Sequence, residues 1–297
     1  MSKTFLGVDG GASSGKWCLI DEAGTKLEEN VEAPIDGHIY REESRARLTK
    51  FLTTVKSSVK TQLSAAHIGL TGAPETLEAQ REIRELFSSL FGEIPLAIEN
   101  DVFLGYRAAF GDEAGIFLYA GTGSIVVYRD ASGSLKRVGG WGYLLGDEGG
   151  GYWIGREGIR KTLLALENRE QNELSKVIFE HAGGKDWDSI KRFVYSSSRE
   201  QIASLALPIL ALAEAGNKEA GEIANNAGVE LAGLVTRSEI IIGGKSSHVI
   251  FSGGVANAST LIKKSLEINL GWGIEKFSGD TAYQAALLAK DVYFAKS

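Results

Sequence analysis

One cysteine, Cys18, stands in 297 residues, and that scarcity excludes an intrachain disulfide and any multi-cysteine metal site. The four histidines are scattered and show no metal-ligand spacing. No apolar run is long enough to cross a bilayer. The longest, Ala203 to Ala213, contains Ser204 and Pro208 and reads as a buried helix. No secretory leader pattern opens the chain, so a cytoplasmic protein is expected. Positive charge is not in excess: Lys plus Arg is 32 against 38 for Asp plus Glu, a net of −6. That balance argues against nucleic acid and against an anionic membrane surface as partners. It does not exclude ATP, whose phosphates can be held by backbone N–H groups and Mg²⁺. What is present is a soluble globular composition, 43% hydrophobic and 24% charged, with room for one large domain or two ordinary ones.

One plan occurs twice. Thr4 to Val8 reads as an apolar strand that runs into a Gly-rich turn, Asp9 to Gly15. A second strand, Lys16 to Ile20, follows, then the turn Asp21 to Gly24 and a third strand from Thr25. The plan returns with a strand at Ile116 to Ala120, the turn Gly121 to Ser124, a strand at Ile125 to Tyr128, the turn Asp130 to Gly133 and a strand at Leu135 to Val138. Gly and Asp suit tight hairpin turns.

Helix and strand alternation follows each triplet. Leu48, Phe51, Leu52, Val55, Val59 and Leu63 recur at helical spacing. A strand is expected at His67 to Leu70, a helix at Glu75 to Phe91 and a strand at Leu96 to Ile98. Later come helices near 156–167, 171–182, 186–195, 199–215 and 217–240. A strand at His248 to Phe251, a helix at Asn257 to Leu270, a strand at Ile274 to Phe277 and a helix at Thr281 to Phe294 complete the chain. The fold class expected is α/β with two mixed sheets, duplicated and two-lobed, with a ligand cleft between lobes. The boundaries expected are 1–112 and 113–283, with a terminal helix at 284–297 packing back on the first lobe.

Five elements carry chemistry. In the first turn, Gly10, Gly11, Ser13, Ser14 and Lys16 can surround phosphate oxygens, and Asp9 can hold Mg²⁺ through water. An ordinary hairpin turn is the other reading. This turn is not a P-loop. Gly121, Thr122 and Gly123 carry the same two readings. Gly253, Gly254 and Asn257 end a strand and open a helix; they offer a bare surface to adenosine, or simply a turn of positive φ. Pro95 to Val102 is a strand ending in Glu99, Asn100 and Asp101. Asp101 is a helix N-cap or a general base, and Asn100 beside it is a candidate for binding substrate. The fifth element, Gly139 to Trp153, holds seven glycines in fifteen positions. There Asp147 is the candidate sugar ligand, with Gly140 and Glu148 beside it. Trp141, Tyr143 and Trp153 either stack on a sugar or pack a core. Gly72, after Thr71, marks a further sugar-side turn.

In this order the five elements resemble the BadF/BadG/BcrA/BcrD-type ATPases, and within them the branch similar to N-acetylglucosamine kinases and archaeal hexokinases. GGWG…GDEG is the most specific stretch. The resemblance implies an RNase H-like, actin-type duplicated fold, Mg·ATP, transfer of the γ-phosphoryl group to a sugar 6-hydroxyl, Asp101 as base, lobe closure and a homodimer. Two departures stand out. The family's first hairpin reads Asp-Gly-Gly-Gly-Thr-Lys-Thr, whereas here it is Asp9-Gly10-Gly11-Ala12-Ser13-Ser14-Gly15. The family's early sugar loop carries Asn, whereas here it carries Asp36, which can accept from sugar hydroxyls or favour a cationic 2-amino group. N-acetylglucosamine is the first expectation, with glucose, glucosamine and N-acetylmuramic acid open. Two other classes are weighed: an ATPase activator of a radical enzyme, which needs cluster cysteines, and a sugar-sensing pseudokinase.

Overall fold

The structure is a computed structural model that describes residues 3–246 and 248–295. The chain divides into two compact units. One runs to Asp112 and takes in the chain from Ser278 onward; the other is Glu113–Phe277.

The first unit carries strands β1 (Thr4–Gly10), β2 (Gly15–Asp21), β3 (Lys26–Glu32), β4 (Leu63–Leu70) and β5 (Leu96–Asn100), with helices α1 (Glu42–Ser58), α2 (Arg81–Phe91) and α3 (Asp101–Phe110). Its sheet order is β3-β2-β1-β4-β5. β1 pairs antiparallel with β2 and parallel with β4, and β4 is parallel to β5.

The second unit carries β6 (Ile116–Ala120), β7 (Ser124–Arg129) and β8 (Leu135–Gly139), then α4 (Gly151–Glu167), α5 (Glu173–Ala182), α6 (Trp187–Ser196), α7 (Arg199–Ser204), α8 (Ala206–Glu214) and α9 (Lys218–Ile242). β9 (Val249–Ser252), α10 (Gly254–Ala258), α11 (Thr260–Leu270) and β10 (Glu275–Lys276) complete it. Its sheet reads β8-β7-β6-β9-β10. This is the first unit's order element for element, so the duplication read from the hairpins extends to the crossover strands.

The last helix, α12 (Thr281–Ala295), lies on the first sheet. The reason is local. A Cβ on Gly7 of β1 would stand 2.1 Å from the Ala282 carbonyl oxygen and 2.2 Å from the Ala286 nitrogen. Only glycine lets a helix seat so closely on a strand. Ala282, Ala286 and Ala289 then close over Phe5, Cys18, Ile20 and Ala65. The return to the first unit therefore occurs at Phe277/Ser278 rather than at 283/284. Residues 296–297 of the expected terminal helix lie outside the described residues.

Several expected boundaries move, and the helices expected at 199–215 and at Asn257–Leu270 each break in two, into α7 with α8 and α10 with α11. α1 ends at Ser58, and Leu63 begins β4 instead of continuing the helix. Residues 75–80 form turns, so α2 starts only at Arg81. α4 begins at Gly151, which places Tyr152 and Trp153 on a helix rather than in the loop. Trp153 is buried in the second unit's core. No helix among the described residues is long and apolar enough to cross a membrane. Ala206, Ile209, Leu210 and Ala213 are buried on α8, as the apolar run predicts.

Candidate active site

In the first unit, β1 delivers Asp9 to the start of the Gly-rich turn. Gly10 and Gly15 pair across the hairpin, and the Gly11 N–H donates to the Ser14 carbonyl at 3.0 Å. Ser13 lies at the exposed tip, Ser14 is half-buried, and Lys16 projects outward opposite Asp9 in the ladder. The Thr281 hydroxyl, first in α12, donates to Asp9 Oδ2. Sequence reading missed Thr281 because it lies at the far end of the chain.

Asp101 is the first residue of α3. The N-cap is Asn100, whose side chain accepts from the Val102 N–H at 3.2 Å; Asp101 Oδ1 accepts from the same N–H at 3.0 Å. The N-cap position thus belongs to Asn100, while Asp101 shares its N–H through Oδ1 and keeps Oδ2 outside that bond. Burial, reinforced by the negative charge of Asp9, pushes the Asp101 carboxyl up to about 7. Burial also raises Asp9, against the hydrogen bond from Thr281 and the charge of Lys16. Two carboxylates of raised pKa that oppose one another form a site short of positive charge. They suit a cation nearby, and Asp9 is the residue that would hold Mg²⁺. No cluster of three or more metal-ligating side chains exists among the described residues.

Carboxyl titration of the free protein by ¹³C NMR should place Asp101 near 7. Asp9→Asn removes the like charge and should lower that midpoint. An Asp101 midpoint in the ordinary carboxylate range, unmoved by Asp9→Asn, would contradict this electrostatic picture.

Asp36 is less free than its sequence suggested. Its carboxylate accepts from the His38 N–H at 2.9 Å, the Ser44 hydroxyl at 3.0 Å and Arg47 Nη2 at 2.6 Å, and meets His38 Nδ1 at 3.1 Å. Burial opposes ionisation, but these donors hold its pKa below the ordinary value. Much of its accepting capacity is spent on α1 and on the loop that leads into it. The same loop packs against the Gly72 turn: the Gly37 N–H donates to the Thr71 carbonyl at 2.9 Å. Asp36 and Gly72 are therefore neighbours in space.

In the second unit the Gly121–Thr122–Gly123 turn and the long glycine loop form one structure. The Gly151 and Tyr152 N–H groups donate to the Gly121 and Thr122 carbonyls at 2.8 and 2.9 Å, and the Ser124 hydroxyl donates to the Glu148 carbonyl at 2.6 Å. Asp147 sits at φ 63°, a left-handed conformation uncommon for a non-glycine residue. Its carboxylate accepts from the Gly142 N–H at 3.2 Å. It lies where a Cβ on Gly123 would be, 2.3 Å from Oδ2. Burial raises its pKa against that hydrogen bond. A buried carboxylate in strained backbone is the kind of group that functional sites retain. Gly140 lies in this loop at positive φ, and Glu148 follows Asp147 half-buried. Trp141 is exposed beside Arg237, while Tyr143 packs edge-on against Tyr152.

Gly253 follows β9 at φ 103°, and a Cβ there would stand 2.2 Å from the Ala120 carbonyl oxygen. Gly254 opens α10 with nothing within 4 Å of where its Cβ would be, and Asn257 is exposed on the same short helix. The two glycines should therefore respond differently. Gly253→Ala should destabilise the fold by a few kcal/mol, read as a lowered Tm. Gly254→Ala should leave Tm unchanged and raise the Kd for ATP, because its added methyl fills the surface assigned to adenosine. Unchanged ATP binding in a folded Gly254→Ala protein would remove that assignment.

Two repeats of one five-stranded sheet, each with a glycine hairpin after its first strand, define a protein of the actin-like ATPase fold. The chain belongs to the BadF/BadG/BcrA/BcrD ATPase family, whose model matches residues 6–271. Among characterised relatives it is 26% identical to an N-acetylmuramic acid/N-acetylglucosamine kinase of Clostridium acetobutylicum, over 97% of this chain and 98% of that protein. It is 27% identical to an N-acetyl-D-glucosamine kinase of Dictyostelium discoideum, over 61% of each. A solved structure from Chromobacterium violaceum, named provisionally as an N-acetylglucosamine kinase, superposes with a TM-score of 0.78 at 23% identity, covering 96% of this chain and 98% of that one. That likeness shows the fold.

Proposed function

We propose that this protein is an ATP-dependent kinase that transfers the γ-phosphoryl group to the 6-hydroxyl of an amino sugar, with N-acetylglucosamine the first substrate to test. The observation that carries the reading is Asp101. It is a carboxylate at a strand-to-helix corner that shares the Val102 N–H with the N-cap Asn100 and is raised to about 7. A general base works best when its pKa lies near the working pH.

In this reading Asp101 accepts the proton of the attacking hydroxyl as that oxygen approaches phosphorus. The hydroxyls of Ser13, Ser14 and Thr122, with the glycine backbone of Gly10, Gly11, Gly121 and Gly123 beside them, are the candidates for the phosphates, and Lys16 lends charge; the Gly11 and Gly121 N–H groups are engaged within their own hairpins. Gly253, Gly254 and Asn257 serve the adenosine. Asp147 accepts from sugar hydroxyls, and Gly140, Glu148, Gly72, Asn100 and the remaining capacity of Asp36 are further candidates for the sugar. Mg²⁺ held through water at Asp9 would supply charge neutralisation for the phosphates.

The activator reading is disfavoured by Cys18. The thiol is fully buried on β2, and burial pushes it up to about 11, so it offers no accessible thiolate to a cluster. The hairpin residues Ala12 to Gly15, which depart from the family pattern, keep a sugar-binding pseudokinase as the second reading. A cytoplasmic homodimer accompanies the proposal, and light scattering tests the assembly.

The discriminating experiment is ADP release with Mg·ATP and, in turn, N-acetylglucosamine, glucosamine, N-acetylmuramic acid and glucose. Sugar-dependent turnover supports the kinase and names its substrate. Sugar binding without turnover favours the pseudokinase.

A further inference from the structure

β5 leads directly into the proposed base yet is the edge strand of its sheet and only five residues long. On its outer side no strand holds it among the described residues. Side chains do so instead: Gln80 Nε2 donates to the Ile98 carbonyl at 3.2 Å, and Arg84 Nη1 donates to the Leu96 carbonyl at 2.8 Å. The junction itself is tied by Glu99. Its Oε1 accepts from His67 Nε2 on β4 at 2.7 Å. Arg107 Nε, on the second turn of α3, donates to Oε1 and Oε2 at 3.2 and 3.1 Å.

One carboxylate thus fastens three elements, and Asp101 lies on the backbone between two of them. Burial by itself would raise the pKa of Glu99, yet His67 and Arg107 hold it below its ordinary value. Glu99 is therefore ionised and purely an acceptor, and the shared proton belongs to His67 Nε2. Beneath the corner, Gly69 leaves room. A Cβ there would meet Leu104 at 2.7 Å and the Asp101 Cα at 3.4 Å. Buried ion pairs add little stability compared with apolar packing, and geometric specificity is one reason for a chain to keep them.

We infer that Glu99, held between His67 and Arg107, is a positioning residue that fixes the β5–α3 corner and with it the carboxylate of Asp101. This inference rests on the kinase reading and on Asp101 as its base. A misplacement of about 1 Å can cost a reaction about 100-fold. Glu99→Gln should therefore lower kcat by roughly 10- to 100-fold. The KM for Mg·ATP should stay near wild type, while that for sugar shifts less than kcat, since Asn100 shares the corner. Arg107→Met should reproduce the loss, and the double variant should be no worse than either single one.

The deciding measurement places Glu99→Gln in an Asp101→Asn background. A residue that acts only through Asp101 leaves the residual rate of Asp101→Asn unchanged, whereas a general loosening of the fold lowers it further. Melting curves of each variant, with Arg107→Met as the second route, keep the test valid if one variant folds poorly. Wild-type kcat in a folded Glu99→Gln protein, or a further loss in the Asp101→Asn background, overturns the inference while leaving the base in place. Near-wild-type turnover by Asp101→Asn itself overturns the base assignment instead.

Discussion

Asp101→Asn should do two opposite things at once: lower kcat by about 100- to 10,000-fold, the usual contribution of a general base, and make the protein more stable at pH 8. The second effect follows from the first residue's electrostatics. The folded-state pKa of Asp101 is raised from an ordinary 3.8 to about 7. A raised carboxyl pKa means that folding favours the protonated form. Below about pH 4 the group is protonated in both states and changes nothing. As pH rises from there toward 7, the unfolded chain ionises first and the folded state loses relative stability. Above 7 the loss is complete, up to about 4 kcal/mol by linkage. Asparagine cannot ionise, so the variant should melt several degrees higher than wild type at pH 8. The difference should shrink as pH falls toward 4. Differential scanning calorimetry across that range checks it. Equal melting temperatures at pH 8 would show that Asp101 is not strained by burial and the charge of Asp9. A catalytic group that costs stability marks a site kept for chemistry rather than for folding.

Asp147→Asn should remove sugar recognition while leaving the loop intact. Asparagine tolerates the left-handed conformation at φ 63° and can still accept from the Gly142 N–H. What it loses is the charge of the acceptor. Hydrogen bonds to charged groups are worth roughly 1.5–3 kcal/mol, so kcat/KM for the sugar should fall about 10- to 100-fold. The Kd for ATP should stay within about twofold. Isothermal titration with sugar and with ATP separates the two. If ATP binding falls instead, the carboxylate that abuts Gly123 serves the phosphate turn, and the sugar assignment is wrong. Asp147→Ala removes the acceptor as well as the charge, so the loop should loosen and Tm fall along with sugar affinity.

The fold was legible wherever local chemistry and pattern agreed. Gly-rich turns between short apolar runs fixed both hairpins, and their repetition pointed to two equivalent sheets. Periodicity failed where it had no terminator to read. Leu63 keeps helical step with Val59, yet the chain turns extended at Val59, and Leu63 serves a strand. Tyr152 and Trp153 looked like part of a loop because glycines run directly into α4; the helix starts at Gly151 because carbonyls of a distant turn cap it.

The candidate site was legible as residue types but not as partnerships. Asp101 stood out by position at the end of an apolar strand. That Asn100 is the N-cap and shares its N–H with Asp101 is visible only in three dimensions. Thr281 and Asp9 are 272 residues apart, and no spacing rule joins them. Glu99 was noticed only as one of three polar residues, because its partners His67 and Arg107 come from two other elements. Asp36 reads from the sequence as an acceptor for sugar hydroxyls or a partner for a 2-amino group, yet Ser44 and Arg47, eight and eleven residues on, claim its oxygens.

The most direct test of the central claim is the identity of the phosphorylated product. The purified protein is incubated with Mg·ATP and ¹³C-labelled N-acetylglucosamine and followed by ³¹P and ¹³C NMR, with Asp101→Asn alongside. The account predicts ADP and sugar phosphate in equal amounts, phosphorus coupled to carbon 6, and no such product in the variant. Inorganic phosphate released at the same rate with and without sugar, or phosphorylation that persists in Asp101→Asn, would contradict it.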